Sequence, residues 1–188
     1  MNKLKQVGGV AIVGLFTTFN AIADSYTLRI SEDVVGLGVM MDPIGESSSA
    51  EIDWMHADDF DLLRAGVYVE GLSPDTSYGD ISQLTLKYGG KAVFLSSDFD
   101  DGAALALGLK AEYPFTEKLS LFSDVFYASG KLSFEEVDTY KEWAIGMRAK
   151  IFKNGSLSVG YTTIEVDTDT LNGIELEDGL MIYAAVQL

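Results

Sequence analysis

The chain has 188 residues, with 29 acidic side chains against 13 basic ones, one histidine, no cysteine and a formal net charge of −16. That balance excludes nucleic acid as a partner, because phosphate binding needs a basic surface, and the missing thiols exclude disulfides and thiolate metal sites. Hydrophobic residues make up 47%, so either the charge is concentrated in loops or the apolar surface faces something other than water.

Residues 1–23 read as a signal peptide. Lys3 and Lys5 precede an apolar run from Val7 to Phe19, and Ala21-Ile22-Ala23 closes it. The run is too short to cross a bilayer as a helix, which takes about 20 residues. Cleavage is expected after Ala23, following export through the Sec pathway. Residues 24–188 then form one domain, with 11 basic and 29 acidic side chains and a net charge of −18. No later stretch is long and apolar enough for a transmembrane helix.

Ten strands are predicted along this domain, near 25–31, 34–41, 49–56, 61–70, 83–95, 102–114, 118–131, 138–151, 157–166 and 179–188. The alternation is clearest in 102–114. Leu105, Leu107, Leu109, Ala111 and Tyr113 share one face; Ala104, Ala106, Gly108, Lys110 and Glu112 share the other. In 138–151, Trp143, Ile145, Met147, Ala149 and Ile151 oppose Glu142, Ala144, Gly146, Arg148 and Lys150. In 61–70, Leu63, Ala65, Val67 and Val69 oppose Arg64, Gly66, Tyr68 and Glu70. The last strand carries Leu180, Ile182, Ala184, Val186 and Leu188 on one side.

The polar faces mix glycine and alanine with both signs of charge. Arg64, Lys87, Lys91, Lys110, Arg148 and Lys150 stand against Glu51, Asp53, Glu70, Glu112, Asp124 and Glu142. A water-facing sheet would carry more Thr and Ser. Small residues with balanced charge suit a crowded lumen, where buried charges must pair, and the apolar faces then point into lipid. The lumen network is expected to comprise Arg64, Lys87, Lys91, Lys110, Glu112, Asp124, Glu142, Arg148 and Lys150.

The connections alternate as well. Those at 57–60, 96–101, 132–137 and 167–178 are acidic, whereas 115–117 and 152–156 are short, and Asn154-Gly155 is expected to supply positive φ in the last. Short turns at one end and acidic loops at the other is the layout of an outer-membrane barrel. The connection at 71–82, with Pro74, is long for the short-turn end.

Several segments carry a family resemblance: Lys87-Tyr88-Gly89-Gly90-Lys91, Leu107-Gly108-Leu109-Lys110, Leu119-Ser120-Leu121-Phe122, Tyr140-Lys141-Glu142 leading to Gly146-Met147-Arg148, and Val159-Gly160-Tyr161. In their order and spacing the chain resembles the YfaZ family of predicted outer-membrane proteins. The resemblance implies a signal peptide and an outer-membrane β-barrel, with no assigned reaction. Barrels of this type usually end in an aromatic residue; this chain ends Val186-Gln187-Leu188.

Other motifs read as structural. His56 lies near Asp58, Asp59 and Asp61, a spacing that permits a general base, but no G-x-S-x-G accompanies it, and it reads as a rim histidine. Asp98, Asp100 and Asp101 do not continue into an EF-hand, because Leu109 occupies the position that needs Glu. Gly89-Gly90 reads as a bend in a barrel strand. Trp54, Tyr88, Tyr113, Tyr127, Trp143 and Tyr161 read as membrane-interface girdles.

The fold expected is therefore an all-β, antiparallel, up-and-down transmembrane barrel of ten strands, with eight as the alternative. Its expected role is structural or interactional, with a lumen plugged by paired charges or open as a minor pore. It is not expected to be an enzyme or to hold a cofactor or metal. Outer-membrane lipid and the barrel-assembly machinery are the expected partners. Two alternatives stand: a soluble periplasmic barrel with an apolar ligand, and an outer-membrane lipid-modifying enzyme using His56.

Overall fold

The computed structural model describes residues 24–41, 47–71 and 83–187. The signal peptide with its cleavage point, most of the connections 42–48 and 71–82 including Pro74, and Leu188 lie outside the described residues. Eleven strands follow in order: β1 (Ser25–Ile30), β2 (Val35–Met41), β3 (Ser48–His56), β4 (Phe60–Glu70), β5 (Thr85–Ser97), β6 (Asp101–Pro114), β7 (Leu119–Ala128), β8 (Ser133–Glu135), β9 (Val137–Phe152), β10 (Gly155–Thr168) and β11 (Ile174–Gln187). Ten of them close a barrel. Each pairs antiparallel with its neighbour, β7 pairs with β9, and β11 returns to β1. Closure removes most unpaired edges, which lipid does not tolerate. The alternation in the sequence predicts this ten-stranded wall.

β8 is the addition. It follows a 3₁₀ turn at Gly130–Leu132 and pairs with β6 at Gly102–Ala104, above the point where β7 stops. β10 and β11 also run longer than expected, which shrinks the acidic connection 167–178 to residues 169–173. There Gly173 takes φ +67, the left-handed region glycine enters at no steric cost. The turn between β9 and β10 falls at Lys153–Asn154, and neither Asn154 nor Gly155 has positive φ. A register shift between Gly155 and Ser156 turns the chain instead.

The pleat sends alternate residues to opposite faces. Leu107 is 62% exposed and Val67 56%, and Ile145, Val159 and Ile182 stand on the same outward surface. Trp143 and Tyr161, partly exposed, stand where this apolar belt gives way to Lys141 and Thr163 on the same strands, as an interfacial girdle requires. One end of the barrel carries Ser25 and Gln187, where the described wall begins and ends; the opposite end carries the acidic connections.

Candidate functional site: the barrel lumen

The lumen is built in layers. At the acidic end the inward residues are apolar. Val34, Phe60, Leu62, Leu95, Ile164 and Val166 are buried there in one cluster with Ala104 and Ala106. The gap between Val93, Ala104, Val137 and Tyr140 leaves no room for a water. This corrects the expectation of a lumen polar throughout. The inward face of β4 shows why, reading Phe60, Leu62, Arg64, Gly66, Tyr68 from the acidic end inward. One strand face changes character along its length.

Beneath the apolar layer lies a chain of eight charges that alternate in sign. Asp124 is 3.8 Å from Lys110, which binds Glu51. Glu51 meets Arg29 at 2.6 Å, and Arg29 meets Asp53 at 2.6 Å. Asp53 accepts from Arg64, Arg64 lies 3.1 Å from Glu142, and Glu142 accepts from Lys91 at 2.6 Å. The four cations and four carboxylates sum to zero. Several links cross the lumen rather than follow the wall: Lys110 on β6 reaches β3, and Lys91 on β5 reaches β9. Tyr140 also donates to Glu142. Buried charges are costly unless paired and hydrogen-bonded, and this chain gives each carboxylate at least one cation.

Inward aromatic rings brace the cations. Lys91 Nζ stands 3.8 Å from the centre of Phe126, and Lys110 Nζ stands 4.5 Å from that of Tyr68. Arg148 lies over Phe122 and Arg29 over Tyr183. Such contacts strengthen where water is excluded. Glycines seat these rings. A Cβ on Gly108 would fall 2.0 Å from the Val125 carbonyl and 2.5 Å from the Phe126 ring, and one on Gly89 would strike Val67 and Tyr68. The Gly89 position is therefore a seat for Tyr68.

Of the residues expected in the network, Arg64, Lys91, Lys110, Asp124 and Glu142 meet in this chain, together with Glu51 and Asp53. Arg148 and Glu112 form a separate pair nearer the end that carries Ser25 and Gln187, both over a third exposed, with Ser120 donating to Glu112 at 2.6 Å. Lys87 and Lys150 stand apart. Lys87 Nζ is 3.5 Å from Ser49 Oγ, and neither lysine has a carboxylate within 4.0 Å among the described residues. Lys150, paired with Ser156 beside the β9–β10 turn, is exposed. Arg29 was not foreseen. It reaches past β2 to β3, over a strand face that carries Gly36 and Gly38.

A cavity of about 30 Å³ lies among Arg29, Glu51, Asp53, Arg64, Lys110 and Tyr183. It has room for water. Arg29 Nε is buried here without a hydrogen-bond partner. Side-chain exposure rises from 3% at Arg64 to 20% at Lys110 and 37% at Arg148, so the chain of charges is approached from the end away from the acidic loops.

The acidic end is also strapped. Thr168 and Thr170, on and beyond β10, both donate to Asp100 in the β5–β6 connection. These hydroxyls hold the Asp100 carboxyl below its usual range, Thr168 contributing most. His56 Nδ1 lies 3.0 Å from Asp61 Oδ1, which also accepts from Trp54 Nε1 at 3.0 Å. His56 stacks on Trp54, and this half-exposed group lies at the strand ends, apart from the lumen charges. Among the described residues no cluster of three or more His, Asp or Glu could hold a metal ion.

A family model described as YfaZ precursor matches residues 1–188. No curated protein matches the chain. Among solved structures, the NanC porin is similar at 10% identity, covering 89% of this chain and 98% of its own, with a TM-score of 0.48. The outer membrane channel DcaP of Acinetobacter baumannii is similar at 10% identity over 82% of this chain and 62% of its own, with a TM-score of 0.29.

Proposed function

Because the chain belongs to the YfaZ family, we propose that it is an exported outer-membrane barrel of structural or interaction type, whose lumen is plugged rather than open. The observation that carries this reading is the neutral chain of eight charges spanning the lumen beneath an apolar layer. The outward belt of leucine, valine and isoleucine supports lipid as the surrounding medium. The acidic end then faces outward, and the half-exposed Arg148–Glu112 pair faces the periplasm. A soluble barrel with an apolar ligand would need the opposite arrangement, with polar walls and an empty apolar interior.

The absence of cysteine from the sequence makes the test clean. Ser156→Cys places a thiol on the inward face near the periplasmic mouth, and Ala104→Cys places one in the apolar layer, where Ala104 is 2% exposed. A membrane-impermeant maleimide should label Ser156→Cys only when it has access to the periplasm, and should label Ala104→Cys from neither side. Labelling of Ala104→Cys in intact cells would overturn the plugged lumen. Recovery of the wild type as a soluble periplasmic monomer would overturn the membrane assignment.

A further inference from the structure

The wall is not level at the acidic end. β11 begins at Ile174, but β1 pairs with it only from Ile182 to Gln187. Residues 174–181 lie past the last β1–β11 pair. They have β10 on one side and, among the described residues, no strand on the other. In an antiparallel strand every second residue turns its N–H and C=O to the same side, so this stretch presents an unfilled ladder. A comparable step stands above β7, which pairs with β6 only up to Leu107–Tyr127, and there β8 fills the gap. One overhang is covered and the other is open.

The open edge bears charge of one sign. Glu175 and Asp178 are exposed on it, and Glu32 and Asp33 are exposed on the β1–β2 turn beside it. Ser31 Oγ donates to Glu177 at 2.8 Å and holds that turn against the edge. Lys141, on β9, is taken by Glu165 and Asp167 instead. Leu176 is the extra residue of a bulge between the Ile164–Glu177 and Glu165–Glu175 pairs. Like charges and bulges keep an edge from pairing with its own kind, so a second copy would bring the same acids face to face. A strand of opposite sign meets no such barrier. Tyr161 stacks on Trp143 and donates to Asp178. Such aromatic residues mark the membrane boundary, which leaves the edge beyond Asp178 in water.

We propose that residues 174–178 of β11 are a docking edge for an extended basic segment of another molecule, which adds to the sheet as a strand and sets its lysines or arginines against Glu175, Asp178, Glu32 and Asp33. Main-chain bonds supply the affinity in strand addition, and the side chains supply the selectivity. This goes beyond the plugged-lumen reading and holds whether or not the barrel conducts.

The test uses the full chain in detergent micelles and a short capped peptide of alternating lysine and valine. With peptide bound, amide exchange should slow at alternate residues of 174–178, and added salt should weaken binding. Glu175→Lys combined with Asp33→Lys should weaken it about tenfold, equivalent to about 1.4 kcal/mol, while the barrel keeps its heat-modifiable gel mobility. The same peptide, N-methylated at alternate residues, keeps its charge but cannot complete a ladder, and should leave exchange unchanged. The proposal is overturned if saturating peptide leaves these amides unprotected, or if the methylated peptide protects them equally. Wild-type dimers joined through this edge would also overturn it.

Discussion

Arg64 and Arg148 share a residue type and an inward position, yet their surroundings differ. Arg64 is 3% exposed and holds both Asp53 and Glu142, whereas Arg148 is 37% exposed and holds Glu112. Removing a buried partner leaves charge uncompensated, so Arg64→Ala should cost about 3–5 kcal/mol. Arg148→Ala should cost about 1 kcal/mol or less, because solvent screens the survivor. Urea unfolding of both variants in lipid vesicles checks this, and equal losses would contradict it. The alternation around each arginine showed which way it points. It did not show how deep it lies, because depth depends on what the opposite wall contributes. Arg29 was illegible for the same reason: its partners Glu51 and Asp53 stand on β3, two strands away.

At the scale of one strand, β6 displays the two-sided design. Leu107 faces lipid, and Gly108 seats Phe126 from β7. Leu107→Arg should cost about 2–4 kcal/mol if it lies near the bilayer midplane, and Gly108→Val should cost about 1–3 kcal/mol by overpacking against backbone and ring. Unfolding in vesicles should register both losses, but transfer to detergent should relieve only the first. Relief of both would mean that Gly108 is not a packing seat. The strands themselves were legible, because a period of two survives wherever one face meets lipid. β8 was not. It is three residues long, too short to show a period, and it exists because β6 overruns β7. The β9–β10 turn was located to within two residues, but neither Asn154 nor Gly155 takes positive φ there.

Across the whole molecule the lumen runs from apolar at the acidic end, through neutral paired charge, to a half-exposed polar mouth. The balance of charge was visible in the sequence as equal numbers of acids and bases on the inward faces. The apolar layer was not. Val93, Leu95 and Ala104 form a layer only when ten strands bring them to one level. With these layers in place the lumen should not conduct, and electrical recording can show it. Purified wild-type protein, inserted into a planar bilayer at a voltage that leaves other barrels intact, should show no steady conductance, while Arg64→Ala should admit current as the chain of charges parts. Large, stable wild-type channels would mean that the lumen is open.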